Sequence, residues 1–85
     1  MSPDADPHST WTIRSGEDLG RAIAEIRTRS GLTQRQLAAQ TGLSREYLAQ
    51  IETGRTGSLL EHLLRVLRRS GADVTVSYPG KHGPT

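Results

Sequence analysis

Four side chains in one short segment have the chemistry to recognise bases in DNA. The segment follows Gly42, and its apolar residues Leu48 and Ile51 stand at helical spacing, so we expect them to face inward. Arginine and glutamine can form paired hydrogen bonds with the major-groove edges of guanine and adenine, and glutamate can accept from cytosine. The residues expected to face outward and read bases are Arg45, Glu46, Tyr47 and Gln50.

A second helical segment precedes this one and is predicted to support it. Thr33 begins it with a capping box, and Ala38 is small where the next helix must cross closely. Gly42 permits the left-handed residue of a turn between two helices, and we expect Leu43 to fill the core from that turn. Residues 32–54 are therefore predicted to form a helix-turn-helix.

Capping patterns mark the other helices that must hold this unit. Ser15 and Asp18 begin a helix ahead of it, and Ser44 caps the outward-facing helix. Ser58 and Glu61 begin a last helix that is rich in leucine. Four start signals in succession indicate four helices in order.

The residue pattern changes after the last helix. Over residues 72–78, apolar and polar residues alternate, which predicts a strand, and Trp11 and Ile13 could belong to a shorter one. A lone strand leaves backbone groups unpaired, so it needs either the Trp11 segment or the same strand of a second chain. We expect Trp11 to be a packing anchor. The domain is predicted to span 11–78, between tails at 1–10 and 79–85.

Arginine is concentrated where the predicted DNA-facing helices lie. The formal net charge of the chain is only +2, but residues 27–69 hold eight arginines and three glutamates, a local balance of +5. Five of the nine acidic residues precede position 27. A basic field on one part of a small protein favours a polyanion such as DNA.

The residue inventory argues against an enzyme or a metalloprotein. The chain has no cysteine, and its 85 residues leave little room for a ligand pocket. Its three histidines, His8, His62 and His82, do not converge in the predicted elements. No apolar run approaches the ~20 residues of a membrane span, and the start is unlike a secretory signal. We expect a cytoplasmic, non-enzymatic protein without cofactor or metal.

The helix-turn-helix segment resembles the Xre/Cro/repressor family. The motifs that carry this resemblance, within residues 32–54, are Leu-Thr-Gln-x-x-Leu-Ala, Gly-Leu-Ser and Ile-Glu-x-Gly. Residues 15–78 are similar to its HipB-like branch, the DNA-binding antitoxins of type II toxin–antitoxin modules, through Ser-Gly-Glu-Asp-Leu-Gly at 15–20, the last helix and the strand. The resemblance implies a mainly α, lambda-repressor-like domain of four helices. Its short C-terminal strand would pair across a dimer, with an N-terminal strand, or both.

The resemblance also implies roles for single residues. Gln34 matches a glutamine that contacts phosphate, and it lies in the first turn of its helix, where backbone N–H groups suit a phosphate. Arg27 and Glu52 match an ion pair that ties the base-reading helix to the first helix. The residues expected at phosphates are Thr33, Gln34, Ser44 and Arg55. Those expected in a dimer strand are Val74, Thr75, Val76 and Ser77.

The predicted function is that of an autoregulating repressor. It would bind a palindromic operator in double-stranded DNA as a homodimer and act as the antitoxin of a HipA-like kinase toxin. Two alternatives stay open: a free-standing Xre-family regulator without a toxin, and a protein-interaction adaptor with the same fold. The outward positions expected for Arg45 and Gln50 argue against the adaptor.

Overall fold

Four helices and two short strands follow one another along residues 9–80, the part of the chain that the computed structural model describes. The predicted tails lie mostly outside the described residues. The mainly α class and the four helices are confirmed, and none of these helices is long and apolar enough to cross a membrane. In order, the elements are β1 (Ser9–Thr12), α1 (Gly16–Arg29), α2 (Gln34–Thr41), α3 (Arg45–Glu52), α4 (Ser58–Arg69) and β2 (Thr75–Tyr78).

The two strands pair with each other within the chain. They are antiparallel, in a register that sets Ser9 opposite Tyr78 and Trp11 opposite Val76. The unpaired strand inferred from the sequence therefore has its partner in β1. The ladder extends to Ser9, two residues before the predicted boundary at residue 11.

The main core lies where α1 and α4 meet the strands. Ile13, Ala22 and Leu64 are buried there. Trp11 belongs to the surrounding shell, in agreement with its predicted packing role, and its indole N–H donates to Glu25. The partly buried residues that pack around this core are Trp11, Leu19, Leu60, Val74 and Val76.

Three of the four predicted helix caps form. Thr33 and Gln36 make a complete capping box, and the hydroxyls of Ser15 and Ser44 accept from the backbone N–H three residues on. The predicted cap at Ser58 is wrong, because α4 has Gly57 before it and no side-chain cap. Glu61 does not reach back along its own helix, since its carboxylate accepts the backbone N–H of Gly16 at 2.8 Å.

The first helix crosses the end of α3 at very short range. A Cβ placed on Gly20 would lie 2.4 Å from the carbonyl oxygen of Ile51. A Cβ on Gly54 would lie 2.7 Å from Cγ of Glu17. These glycines let two backbones touch, and the contact sets the position of α3 relative to α1.

Candidate nucleic-acid interface

Helices α2 and α3 form a helix-turn-helix joined at Gly42. This glycine adopts the left-handed conformation, with φ of 76°, and ends α2. Within residues 34–52 only Ala38, on α2, and Leu48, on α3, are buried. The expectation that Leu43 fills the core is wrong: its side chain is 36% exposed and lies outside the set of buried residues.

One side of α3 carries the four residues expected to read bases. Arg45, Glu46, Tyr47 and Gln50 are all exposed. Ser44 caps the N-terminus of α3, because its hydroxyl accepts the backbone N–H of Tyr47 at 3.0 Å. The side therefore offers guanidinium, carboxylate, phenol and amide groups, which together can donate to and accept from base edges.

A two-point ion pair fastens the end of α3 to α1. Nε of Arg27 lies 2.7 Å from Oε2 of Glu52, and Nη2 of Arg27 donates to Oε1 at 3.1 Å. Nη1 of the same arginine donates to the carbonyl oxygen of Leu32 at 2.9 Å. Because one guanidinium joins α1, the α1–α2 connection and α3, the ion pair holds the exposed side of α3 at a set angle.

Burial and charge act in opposite directions on the carboxylate of this pair. The Glu52 side chain is only 6% exposed, and burial alone would raise its pKa. Hydrogen bonds from Arg27 and Gln34, together with the positive charge of Arg27, outweigh that effect, so the pKa of Glu52 lies below its usual range. The hydrogen bond to Glu52 raises the pKa of Arg27 in turn. Both groups are therefore ionised at neutral pH.

Gln34 connects this ion pair to the exposed side of α3. Its Nε2 donates to Oε1 of Glu52 at 2.9 Å. Its Oε1 accepts from Nη1 of Arg45 at 3.5 Å, a long and weak hydrogen bond. Gln34, which is expected at a phosphate, thus also lies between the ion pair and Arg45, the first of the residues expected to read bases.

The start of α2 borders a shallow surface depression of about 390 Å³. It is lined by Thr33, Gln34, Arg35 and Arg45. Arg35 was not singled out from the sequence, although its place beside Gln34 in the first turn of α2 was a usable signal. Arg55 is exposed beyond α3, and its backbone N–H donates to the carbonyl oxygen of Gln50. The depression itself combines Arg35, Arg45 and the N-terminus of α2, and this combination suits an anion.

Side chains that could bind a metal ion do not cluster within residues 9–80. No group of three or more His, Asp or Glu side chains that could hold a metal ion occurs there. His62 is exposed on α4, and the other two histidines lie outside the described residues.

At the end of α4, Nη1 of Arg68 donates to the carbonyl oxygen of Arg14 at 2.9 Å.

Comparisons with known proteins agree with this geometry. Residues 18–76 match the family described as "Helix-turn-helix domain". A curated relative, an uncharacterized HTH-type transcriptional regulator, y4mF, from Sinorhizobium fredii, is 25% identical over 69 residues, which cover 81% of this chain and 91% of the relative. No solved structure matches the chain. Because the family match spans well over half of the sequence, the chain belongs to the helix-turn-helix domain family.

Proposed function

We propose that this protein is a DNA-binding transcriptional repressor that reads its operator with α3. The observation that carries the proposal is the exposed set Arg45, Glu46, Tyr47 and Gln50 on a helix fastened at its end by a bidentate ion pair. A reading helix needs such rigidity because base edges are distinguished by hydrogen bonds of narrow geometry. Family membership and the curated regulator support transcriptional regulation as the role.

The proposed complex inserts α3 into the major groove and sets the start of α2 on the sugar-phosphate backbone. Thr33 and Gln34 would approach one phosphate and Arg55 another, with Ser44 close to the backbone at the start of α3. Arg35 joins this set because it borders the same depression. Arginines at phosphates release counterions, so binding should weaken steeply as salt rises.

The test is a gel shift on the promoter of the protein's own gene. Arg45→Ala and Gln50→Ala should each cost about 1–3 kcal/mol on the cognate site and relax its sequence preference. Gln34→Ala should weaken binding to all sequences more evenly. Arg65→Ala is the matched control, because Arg65 is an exposed arginine on α4, outside the helix-turn-helix. Unchanged affinity in Arg45→Ala would contradict the proposed orientation of α3.

The proposed repressor acts as a homodimer on a palindromic operator. One helix-turn-helix of this size reads only a half-site, and a two-fold dimer would present its two reading helices about 34 Å apart along the DNA. Dimerisation through Val74, Thr75, Val76 and Ser77 stays a prediction from the sequence.

At the finest level, we propose a HipB-like antitoxin that represses its own operon and binds a HipA-like kinase toxin in the cytoplasm. Support comes from the sequence resemblance over residues 15–78. Co-expression with the adjacent gene provides the test: the antitoxin should relieve growth arrest by an adjacent kinase and co-purify with it. If no such kinase gene lies next to this one, the remaining hypothesis is a free-standing regulator without a toxin. The proposal that the protein is a repressor is then unaffected.

A further inference from the structure

Helix α4 leaves an apolar face open among the described residues. On one side it buries Leu64 and partly buries Leu60 against the core. The next side of the helix is also apolar and lies open. Leu59 is 69% exposed, Leu63 51%, Val66 62% and Leu67 39%. We call these four residues, Leu59, Leu63, Val66 and Leu67, the α4 stripe.

The α4 stripe is continuous and free of charge. Its members recur at the spacing that places side chains on one helix face, whereas Arg65, two residues after Leu63, falls on the far side. Neither the core nor the side of α3 that reads DNA uses the stripe. Contiguous exposed apolar surface on a small protein is typical of sites that associate with another protein, a membrane or an apolar ligand.

We infer that the α4 stripe is the surface through which two copies of this chain associate, an inference that rests on the two-fold repressor proposed above. The stripe is self-complementary. Leu59, Leu63 and Leu67 form a ridge at intervals of four residues, so an antiparallel pair with its two-fold axis at Leu63 sets Leu59 of one copy opposite Leu67 of the other.

Electrostatics favour the same antiparallel arrangement. The C-terminal end of α4 carries Arg68 and Arg69, and antiparallel pairing sends the two pairs of arginines to opposite ends of the interface. Arg69 lies six residues from Leu63, so the two copies of Arg69 would be about 18 Å apart along the axis, well beyond the ~8 Å screening length at physiological salt. The helix dipoles also oppose each other, which is favourable.

The β2 edge is a poorer contact for a second copy. One edge of β2 is already bonded to β1, and its exposed side chains Thr75 and Ser77 are polar. An acidic protein partner would be drawn to arginines, and those lie off the α4 stripe. A second copy instead matches apolar surface with apolar surface, which is the main source of association energy.

Sedimentation of the full chain tests the inference first. At micromolar concentration the wild type should sediment at twice the 9.3 kDa chain mass. Leu63→Lys should sediment as a monomer with unchanged helical circular dichroism, because the side chain is exposed within one chain. Arg65→Glu, on the far side of α4, should remain dimeric. A monomeric wild type, or a dimeric Leu63→Lys, would overturn the inference.

Cross-linking gives a second readout that does not depend on the stability of the lysine variant. The chain has no cysteine, so a single introduced thiol is unambiguous. Helices packed 8–10 Å apart bring facing Cα atoms to roughly 4–5 Å, within disulfide range. Leu63→Cys should form a covalent dimer under mild oxidation and Arg65→Cys should not. Cross-linking of Ser77→Cys in place of Leu63→Cys would assign the interface to β2 and overturn the inference.

DNA binding separates a failure of this inference from a failure of the proposed function. Monomeric Leu63→Lys should still shift a half-site at high protein concentration but lose at least tenfold in affinity for the full promoter site. A dimer that binds no DNA would overturn the proposed function and leave the α4 interface standing. A wild type that binds DNA but stays monomeric at micromolar concentration would overturn the α4 interface and leave the proposed DNA binding standing.

Discussion

At the scale of single residues, the contact between Arg27 and Glu52 is the interaction that fixes the end of α3 to α1. Two hydrogen bonds join the side chains, and Gln34 donates a third to the carboxylate. Because the pair is largely buried, each ion relies on the other in place of water. This makes the loss of one partner far more costly than the loss of an exposed ion pair.

Glu52→Gln should destabilise the domain by about 3 kcal/mol, since it leaves the Arg27 charge buried without its partner. The substitution also replaces one carboxylate oxygen with an amide N–H donor, which then faces Arg27 and Gln34, two groups that themselves donate. Urea unfolding followed by circular dichroism measures the change. Glu46→Gln, an exposed carboxylate on the same helix, is the control and should stay within about 0.5 kcal/mol of wild type. Equal effects of the two changes would contradict this account.

The lowered pKa of Glu52 predicts how stability depends on pH. Its folded-state pKa lies below the value of about 4.3 that an unfolded glutamate shows, so its contribution is complete above that value. The contribution is lost as pH falls through the folded-state pKa. Stability measured from pH 7 to pH 2 should therefore fall more steeply below about pH 4.3 in wild type than in Glu52→Gln. Parallel pH profiles would show that Glu52 is not the group responsible.

At the scale of elements, the decisive feature is the close crossing of α1 over the end of α3. Glycine in a helix is normally unfavourable by ~1 kcal/mol relative to alanine. At Gly20 that cost is offset, because the carbonyl oxygens of Ile51 and Glu52 occupy the space a Cβ would need. The same crossing brings Arg27 within reach of Glu52, so the glycine and the ion pair position α3 together.

Gly20→Ala should therefore lower stability by roughly 1–3 kcal/mol, against its helix propensity, because backbone atoms cannot move aside as a side chain would. Thermal unfolding measures the effect. Arg21→Ala, an exposed change at the next position of the same helix, serves as the control and should be nearly neutral. A stabilised Gly20→Ala variant would mean that the two helices are not in backbone contact.

At the scale of the whole molecule, the strands close the core that the helices leave open. Val74 and Val76 of the C-terminal segment pack around Ile13 and Leu64, and Ile13 donates its backbone N–H to the carbonyl oxygen of Val74 at 2.8 Å. The β1–β2 sheet thus joins the two ends of the described chain over α1 and α4. The C-terminal strand is part of the folding unit, whatever its part in a dimer.

Deletion of residues 73–78 should accordingly abolish cooperative unfolding. It removes all the ladder hydrogen bonds and two partly buried valines, which contribute part of the about 1.5–3 kcal/mol that full burial of a valine gives. The measurement is a thermal melt. A matched pair of point variants, Val76→Ser and Ser77→Ala, should separate the inward side of β2 from its outward side, with only the first destabilising. A stable, cooperative deletion variant would contradict this placement of β2.

The helices of this protein, and the residues proposed to read DNA, follow from local signals in the sequence. Capping residues, glycine stops and apolar spacing are local signals, so Thr33, Gly42 and the outward position of Arg45 could be read without a structure. Contacts between residues far apart in sequence carry no such signal. Within residues 9–80, four features emerge only when distant segments are folded together: β2 pairs with β1, Glu61 reaches Gly16, Leu43 stays at the surface, and the α4 stripe is left open.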